Sequence, residues 1–243
     1  MFWTGPNICS LAISSETVAR FAKVVGHQVV LWDNYPVNDA EMTAELHLGP
    51  LDRRDPALSE AVEGYFSNPM DRVEASYLPL RTIAQYLADP AGYEAEAAWN
   101  RALDAYDVPL REVLRQVRWA TRESCCGQGS PLQQALEDAW WAGERMPPLD
   151  ALRQVAAWSQ LPWTALPPGL AQELQPWTAV MRLQAAWAQA WIDQDPVALV
   201  AAYTACQGQS ARVLGGMMTR WQARMAASQN AGRAPACTPS RRQ

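Results

Sequence analysis

Nowhere in these 243 residues do uninterrupted apolar side chains run for the roughly 18 to 20 positions that a membrane-spanning helix requires. No basic segment leads into an apolar one near the start, so no signal peptide is visible and the compartment stays open. The basic stripe of a nucleic-acid binder is missing too. The chain carries 20 Lys and Arg against 25 Asp and Glu, a formal net charge of -5, and nothing resembling a basic stripe appears before the short Ser240-Arg241-Arg242 ending. Nucleic acid is therefore not an expected partner. Histidine is scarce, with only His27 and His47. The five cysteines are Cys9, Cys125, Cys126, Cys206 and Cys237, an odd number whose spacing fits no paired C-x-x-C metal site. Cys125 and Cys126 are expected as two thiols in a glycine-containing loop, with a vicinal disulfide as the alternative. Thiol catalysis would need a nearby base, and the sequence offers little to supply one.

What the chain does hold is enough apolar material for a core: 49% of its residues are hydrophobic and 19% charged. The two halves follow different patterns. Residues 1–88 alternate short apolar runs with helical stretches. Phe2-Trp3-Thr4 is a first run, broken by Gly5-Pro6-Asn7. Ser14 or Ser15 can cap a helix through Val25, with Val18, Phe21, Ala22 and Val25 on one face and Gly26 as its stop. Gln28-Val29-Val30-Leu31-Trp32 reads as a strand buried on both faces. Gly64-Tyr65-Phe66-Ser67 is a third run, and a helix over 73–88 closes the segment, offering Leu78, Ile83, Tyr86 and Leu87 for burial. Such an order predicts βα units and a parallel sheet.

From Asp89 the strand pattern stops. Asp89-Pro90 and Asp195-Pro196 each pair an N-cap acid with a proline at the first helical position. Val180, Leu183, Trp187 and Trp191 keep three- and four-residue spacing and predict one helical stripe. Residues 89–227 are expected as an all-α domain, an antiparallel bundle, and 228–243 as a disordered tail. The 12 tryptophans, many in this region, are expected to pack its core rather than to anchor a partner.

Chemistry is expected in the loops that follow the apolar runs, because parallel β/α folds gather ligands at the C-terminal ends of their strands. Those loops are Thr4-Gly5-Pro6, Asp33 to Asp39, and Asn68-Pro69-Met70. With the strand ends they bring Trp32, Asn34, Asp39 and Asn68. Carboxylates and carboxamides match neighbouring sugar hydroxyls, and an indole face packs on the C–H face of a pyranose. The competing explanation is that Asn, Asp and Pro simply dominate turns.

Four strings tip the balance: Trp3-Thr4-Gly5-Pro6, Leu31-Trp32-Asp33-Asn34-Tyr35-Pro36-Val37-Asn38-Asp39, Leu48-Gly49-Pro50, and Ser67-Asn68-Pro69-Met70. In this order and with similar separations they resemble glycoside hydrolase family 84, the β-N-acetylglucosaminidases that include O-GlcNAcases and hyaluronidase-like enzymes. Thr82-Ile83-Ala84-Gln85-Tyr86, Pro90, Tyr93 and Trp99 continue the likeness, which covers residues 2–103 and thins to Gln175-Pro176-Trp177 beyond. The resemblance implies an α/β segment, the C-terminal strands and helices of an incomplete (β/α)8 TIM barrel, followed by an all-α helical bundle. It implies sugar-binding roles for Trp32, Asn34, Asp39 and Asn68, with Trp32 as a wall beside N-acetylglucosamine and the others as hydrogen-bonding groups. The implied partner is a glycan or glycoprotein bearing N-acetylglucosamine. No cofactor is implied, since that family's reaction uses the substrate's own acetamide and two carboxyl groups.

Those carboxyls are an adjacent Asp-Asp: one aspartate orients the acetamide while its neighbour acts as general acid and then base. This chain contains no Asp-Asp. Glu137-Asp138 is adjacent and acidic but is expected on a solvent-facing helix, and Asp33 is the first other acid to test. The catalytic set is therefore expected to be empty here, and the protein to be a truncated hexosaminidase, inactive without the N-terminal half of its barrel. A sheet lacking those strands should leave an open, apolar edge at Phe2-Trp3-Thr4. Two other readings remain: a non-catalytic sugar-binding module, and a helical protein-interaction module.

Overall fold

The computed structural model describes residues 1–121 and 129–231. Its first part is a three-stranded parallel sheet in the order β1 (Phe2–Trp3), β2 (Val30–Asp33), β3 (Gly64–Ser67). Between β1 and β2 runs α1 (Ser15–Val25). Ser14 caps α1 by accepting from the Thr17 amide, Thr17 returns a bond to the Ser14 backbone, and Gly26 ends the helix in the left-handed region at φ 67°. The short α2 (Leu58–Ala61) precedes β3, and α3 (Val73–Ala88) follows it.

Residue alternation along each strand splits the sheet into two unlike faces. Trp3, Leu31 and Tyr65 align across the register and turn toward α1 and α2, where Ile13, Val18, Val29 and Leu58 complete a buried cluster. Trp3 stacks on Phe21 with ring centroids 4.6 Å apart. On the opposite face Phe2, Trp32 and Phe66 are 60%, 42% and 53% exposed and touch one another ring to ring. The expectation that 28–32 is buried on both faces is thus corrected. β2 begins at Val30, and Trp32 points to the uncovered side because residues two apart share a face. Among the described residues β1 pairs only with β2, so the outer edge expected at Phe2-Trp3-Thr4 is present, and the alternation adds an exposed face, with Phe2 outward and Trp3 inward.

The remainder is helical: α4 (Ala95–Leu103), α5 (Val108–Ala120), α6 (Pro131–Trp141), α7 (Leu149–Ala157), α8 (Pro168–Ile192), α9 (Pro196–Cys206) and α10 (Met217–Ala231). The long α8 packs against α7, α9, α3 and α5. Its stripe buries Val180 and Trp187, and Trp99, Trp158, Trp177 and Trp221 fill the same helical core. Asp195 caps α9 as expected, accepting from the amides of Val197 and Ala198. Asp89 does not start a helix. It ends α3 and accepts from the Gly92 amide in a turn, while α4 begins after Glu94. Leu87, expected to be buried, is 44% exposed. The last helix runs to Ala231, past the boundary expected for the tail at Ser228. Residues 232–243 and the Cys125-Cys126 pair lie outside the described residues. Among the described residues no helix is long and apolar enough to cross a membrane.

Candidate functional site

The loops after β1, β2 and β3 lie at the same end of the sheet because the strands are parallel. After β1 the chain winds tightly around Ser10, which is 3% exposed. Its hydroxyl donates toward the carbonyls of Thr4 at 3.2 Å and Asn7 at 2.9 Å, and accepts from the Asn7 amide at 3.1 Å. Gly5, at φ 98°, allows this close winding, since a Cβ there would collide with the Ser10 side chain. The loop presents the Ile8 carbonyl to Asn34, whose amide Nδ2 donates to it at 2.8 Å.

Asn34 is the hub of the set. Its Oδ1 accepts from the Trp32 indole Nε1 at 3.0 Å and from the Asn68 Nδ2 at 3.0 Å. One carboxamide thus ties together the ends of β2 and β3 and the loop after β1. The structure brings Trp32, Asn34 and Asn68 into a single hydrogen-bonded group beside the uncovered aromatic face. Asp39 sits farther along the β2 loop, exposed, at the start of a single 3-10 turn (Ala40–Met42), and its carboxylate makes no capping bond. Its placement leaves that carboxylate open to a ligand.

Asp33 has another role. It is 1% exposed and gripped by Arg54, whose Nε reaches Oδ2 at 2.6 Å and Nη2 reaches Oδ1 at 2.7 Å. The Tyr65 hydroxyl donates a further short bond to Asp33. Burial first, and then the Asp33 charge, push the Tyr65 phenol far above its ordinary range, so it stays an O–H donor. Both Asp33 oxygens are occupied by structural partners. Glu137 and Asp138 lie on α6, with Asp138 exposed and Glu137 accepting from Gln133 at 3.0 Å.

Sequence reasoning missed Arg54 and the residues that hold the Asp39 loop from behind. A buried aspartate at a strand end needs a cation, and Arg53-Arg54 was available to nominate. The second group is Glu45, His47, Trp177 and Arg212, brought together over sequence separations that no local pattern signals. Among the described residues no group of three His, Cys, Asp or Glu side chains is placed to hold a metal ion.

Residues 1–118 match the family model described as beta-N-acetylglucosaminidase. Over 86 residues the chain is 33% identical to the protein O-GlcNAcase of Rattus norvegicus, an alignment covering 35% of this chain and 9% of that protein. The protein O-GlcNAcase of Mus musculus matches with the same figures. An O-GlcNAc hydrolase mutant of Thermobaculum terrenum shares the fold with a TM-score of 0.74 and 26% identity, over 98% of this chain and 58% of its own. CpGH84B matches in fold alone, at a TM-score of 0.72 and 20% identity, over 92% of this chain and 44% of its own. The chain thus spans less than two thirds of the length of each of these relatives.

Proposed function

We propose that this chain, whose residues 1–118 match the beta-N-acetylglucosaminidase family model, is a member of glycoside hydrolase family 84 and supplies the sugar-binding side of a β-N-acetylglucosaminidase while carrying no catalytic acid of its own. The observation that carries this reading is the Trp32–Asn34–Asn68 group at the C-terminal ends of adjacent parallel strands. In this reading the sheet is the last part of a (β/α)8 barrel, completed by strands from sequence outside these 243 residues, and 89–227 is the helical bundle behind it. The uncovered face formed by Phe2, Trp32 and Phe66 is then the face turned to the barrel interior, where apolar side chains fill a closed sheet.

The chain's own residues bind and orient. The indole of Trp32 offers a flat wall for the C–H face of a terminal N-acetylglucosamine. Asn68 and Asn34 present carboxamides whose positions are fixed by each other and by the Ile8 carbonyl, so little side-chain entropy is lost on binding. Asp39 accepts from two sugar hydroxyls with a carboxylate that is exposed and free of a capping bond. Bond cleavage in this family uses the substrate's acetamide oxygen as nucleophile and an adjacent aspartate pair to orient it and to protonate the leaving oxygen. Asp33 cannot replace that pair while Arg54 and Tyr65 occupy both of its oxygens. The whole enzyme's substrate is a glycan or glycoprotein ending in N-acetylglucosamine.

A titration of the 15N-labelled chain with N-acetylglucosamine tests the binding role. Millimolar sugar should shift the Trp32 indole N–H and the Asn34 and Asn68 side-chain amides ahead of all other signals. Shifts confined to the helical region, or none at all, would refute it.

A further inference from the structure

The loop that carries Asp39 is fastened to the helical region. Residues 44–48 alternate in direction: Leu46 and Leu48, each 1% exposed, enter the helical core beside Trp99 and Trp177, while Glu45 and His47 turn into a second buried group. Two donors from far along the chain converge on the Ala44 carbonyl, the Trp177 indole N–H at 2.9 Å and the Arg212 backbone N–H at 2.6 Å. The Arg212 guanidinium then reaches round to Glu45 Oε1 at 2.9 Å. The other Glu45 oxygen faces His47 Nε2 at 3.4 Å, and His47 Nδ1 lies 3.1 Å from the Pro36 carbonyl. Asn38, the residue before Asp39, donates to the Glu45 carbonyl at 2.9 Å.

The geometry points to Trp177 and Arg212 as positioning residues for the Asp39 carboxylate, acting through Ala44, Glu45 and Asn38. The chemistry is one-sided. Asp39 itself has no capping bond and stands at the mouth of a 3-10 turn whose first residue, Ala40, is held at φ 48°, a left-handed value costly for a residue with a Cβ. Such a turn persists only if its surroundings determine it. Here the surroundings are the Asn38 bond on one side and the Ala44–Glu45 clamp on the other. The helical region is thereby part of the sugar site rather than a separate module. This inference rests on the sugar-binding role proposed for Asp39, yet the clamp can be tested without sugar.

Amide hydrogen exchange on the full chain reads it directly. The amides of Met42 and Glu45 bond within the turn, to the carbonyls of Asp39 and Met42, both at 2.8 Å. Arg212→Ala, and independently Trp177→Phe, should speed exchange at Met42 and Glu45 about tenfold, the scale of one lost hydrogen bond, with β2 and α1 amides unchanged. Arg212→Lys should recover part of the protection. Unchanged exchange at Met42 and Glu45, or a uniform rise through β2 and α1, would overturn the inference. In a parallel sugar titration, weakened shifts at Trp32 in both variants are expected. If the unsubstituted chain shows no sugar shift, the binding role fails while the exchange result still decides the clamp.

Discussion

Arg54 holds Asp33 through two parallel hydrogen bonds, Nε to Oδ2 at 2.6 Å and Nη2 to Oδ1 at 2.7 Å, with both side chains less than 5% exposed. The pair fixes the last residue of β2, and with it the direction in which Asn34 leaves the strand. Removing one partner strands a buried charge, which costs far more than the pair contributes as a whole. Arg54→Ala should therefore lower the unfolding free energy by about 3–5 kcal/mol. Urea unfolding followed by tryptophan fluorescence measures this, and a loss below about 1 kcal/mol would mean that Asp33 is solvated or otherwise paired.

Asp39 should behave in the opposite way. It is exposed and caps nothing, so Asp39→Asn should leave stability within about 0.5 kcal/mol. The same substitution should abolish or strongly weaken the N-acetylglucosamine shifts at Trp32 and Asn68, because it removes the charge that strengthens hydroxyl recognition. Equal sugar response in both proteins would remove Asp39 from the site.

The Phe2–Trp32–Phe66 face predicts a solution property. An uncovered aromatic patch on a sheet drives association when nothing covers it. The weight-average mass of the chain, followed by sedimentation, should rise with concentration. Phe66→Gln should blunt that rise without altering far-UV circular dichroism, since Phe66 packs only at its exposed face. A strictly monomeric chain across the accessible range would contradict the patch's character.

Much of this fold is legible in the sequence. Ser14, Gly26 and Asp195 act locally, through side chains and dihedral preferences of a few neighbouring residues, and their helix ends came out where the sequence put them. The apolar runs starting at Phe2, Gln28 and Gly64 were equally plain, though the second strand begins two residues later, at Val30. Asp89-Pro90 misled because the same residue types that cap helices also close Asx turns, and the preceding helix claimed Asp89 first. The direction of Trp32 was misjudged because an apolar run reads alike whether one face or both are covered. Trp32 was found by its place at the end of an apolar run and Asn34 and Asn68 by theirs just after such runs, and hydrogen bonds join the three. Asp39's support was invisible, since Trp177 and Arg212 lie far along the chain from Ala44 and meet it only through tertiary packing.

The central claim, that the sugar-binding side is present and the catalytic acid is not, is tested most directly by a fluorogenic N-acetylglucosaminide assay. The purified 243-residue chain is compared with its Asp39→Ala variant, both first shown to be folded by circular dichroism. The prediction is no hydrolysis by the chain above that of the variant. Clear turnover that Asp39→Ala abolishes would contradict it, and would require a proton donor among the acids present in this sequence.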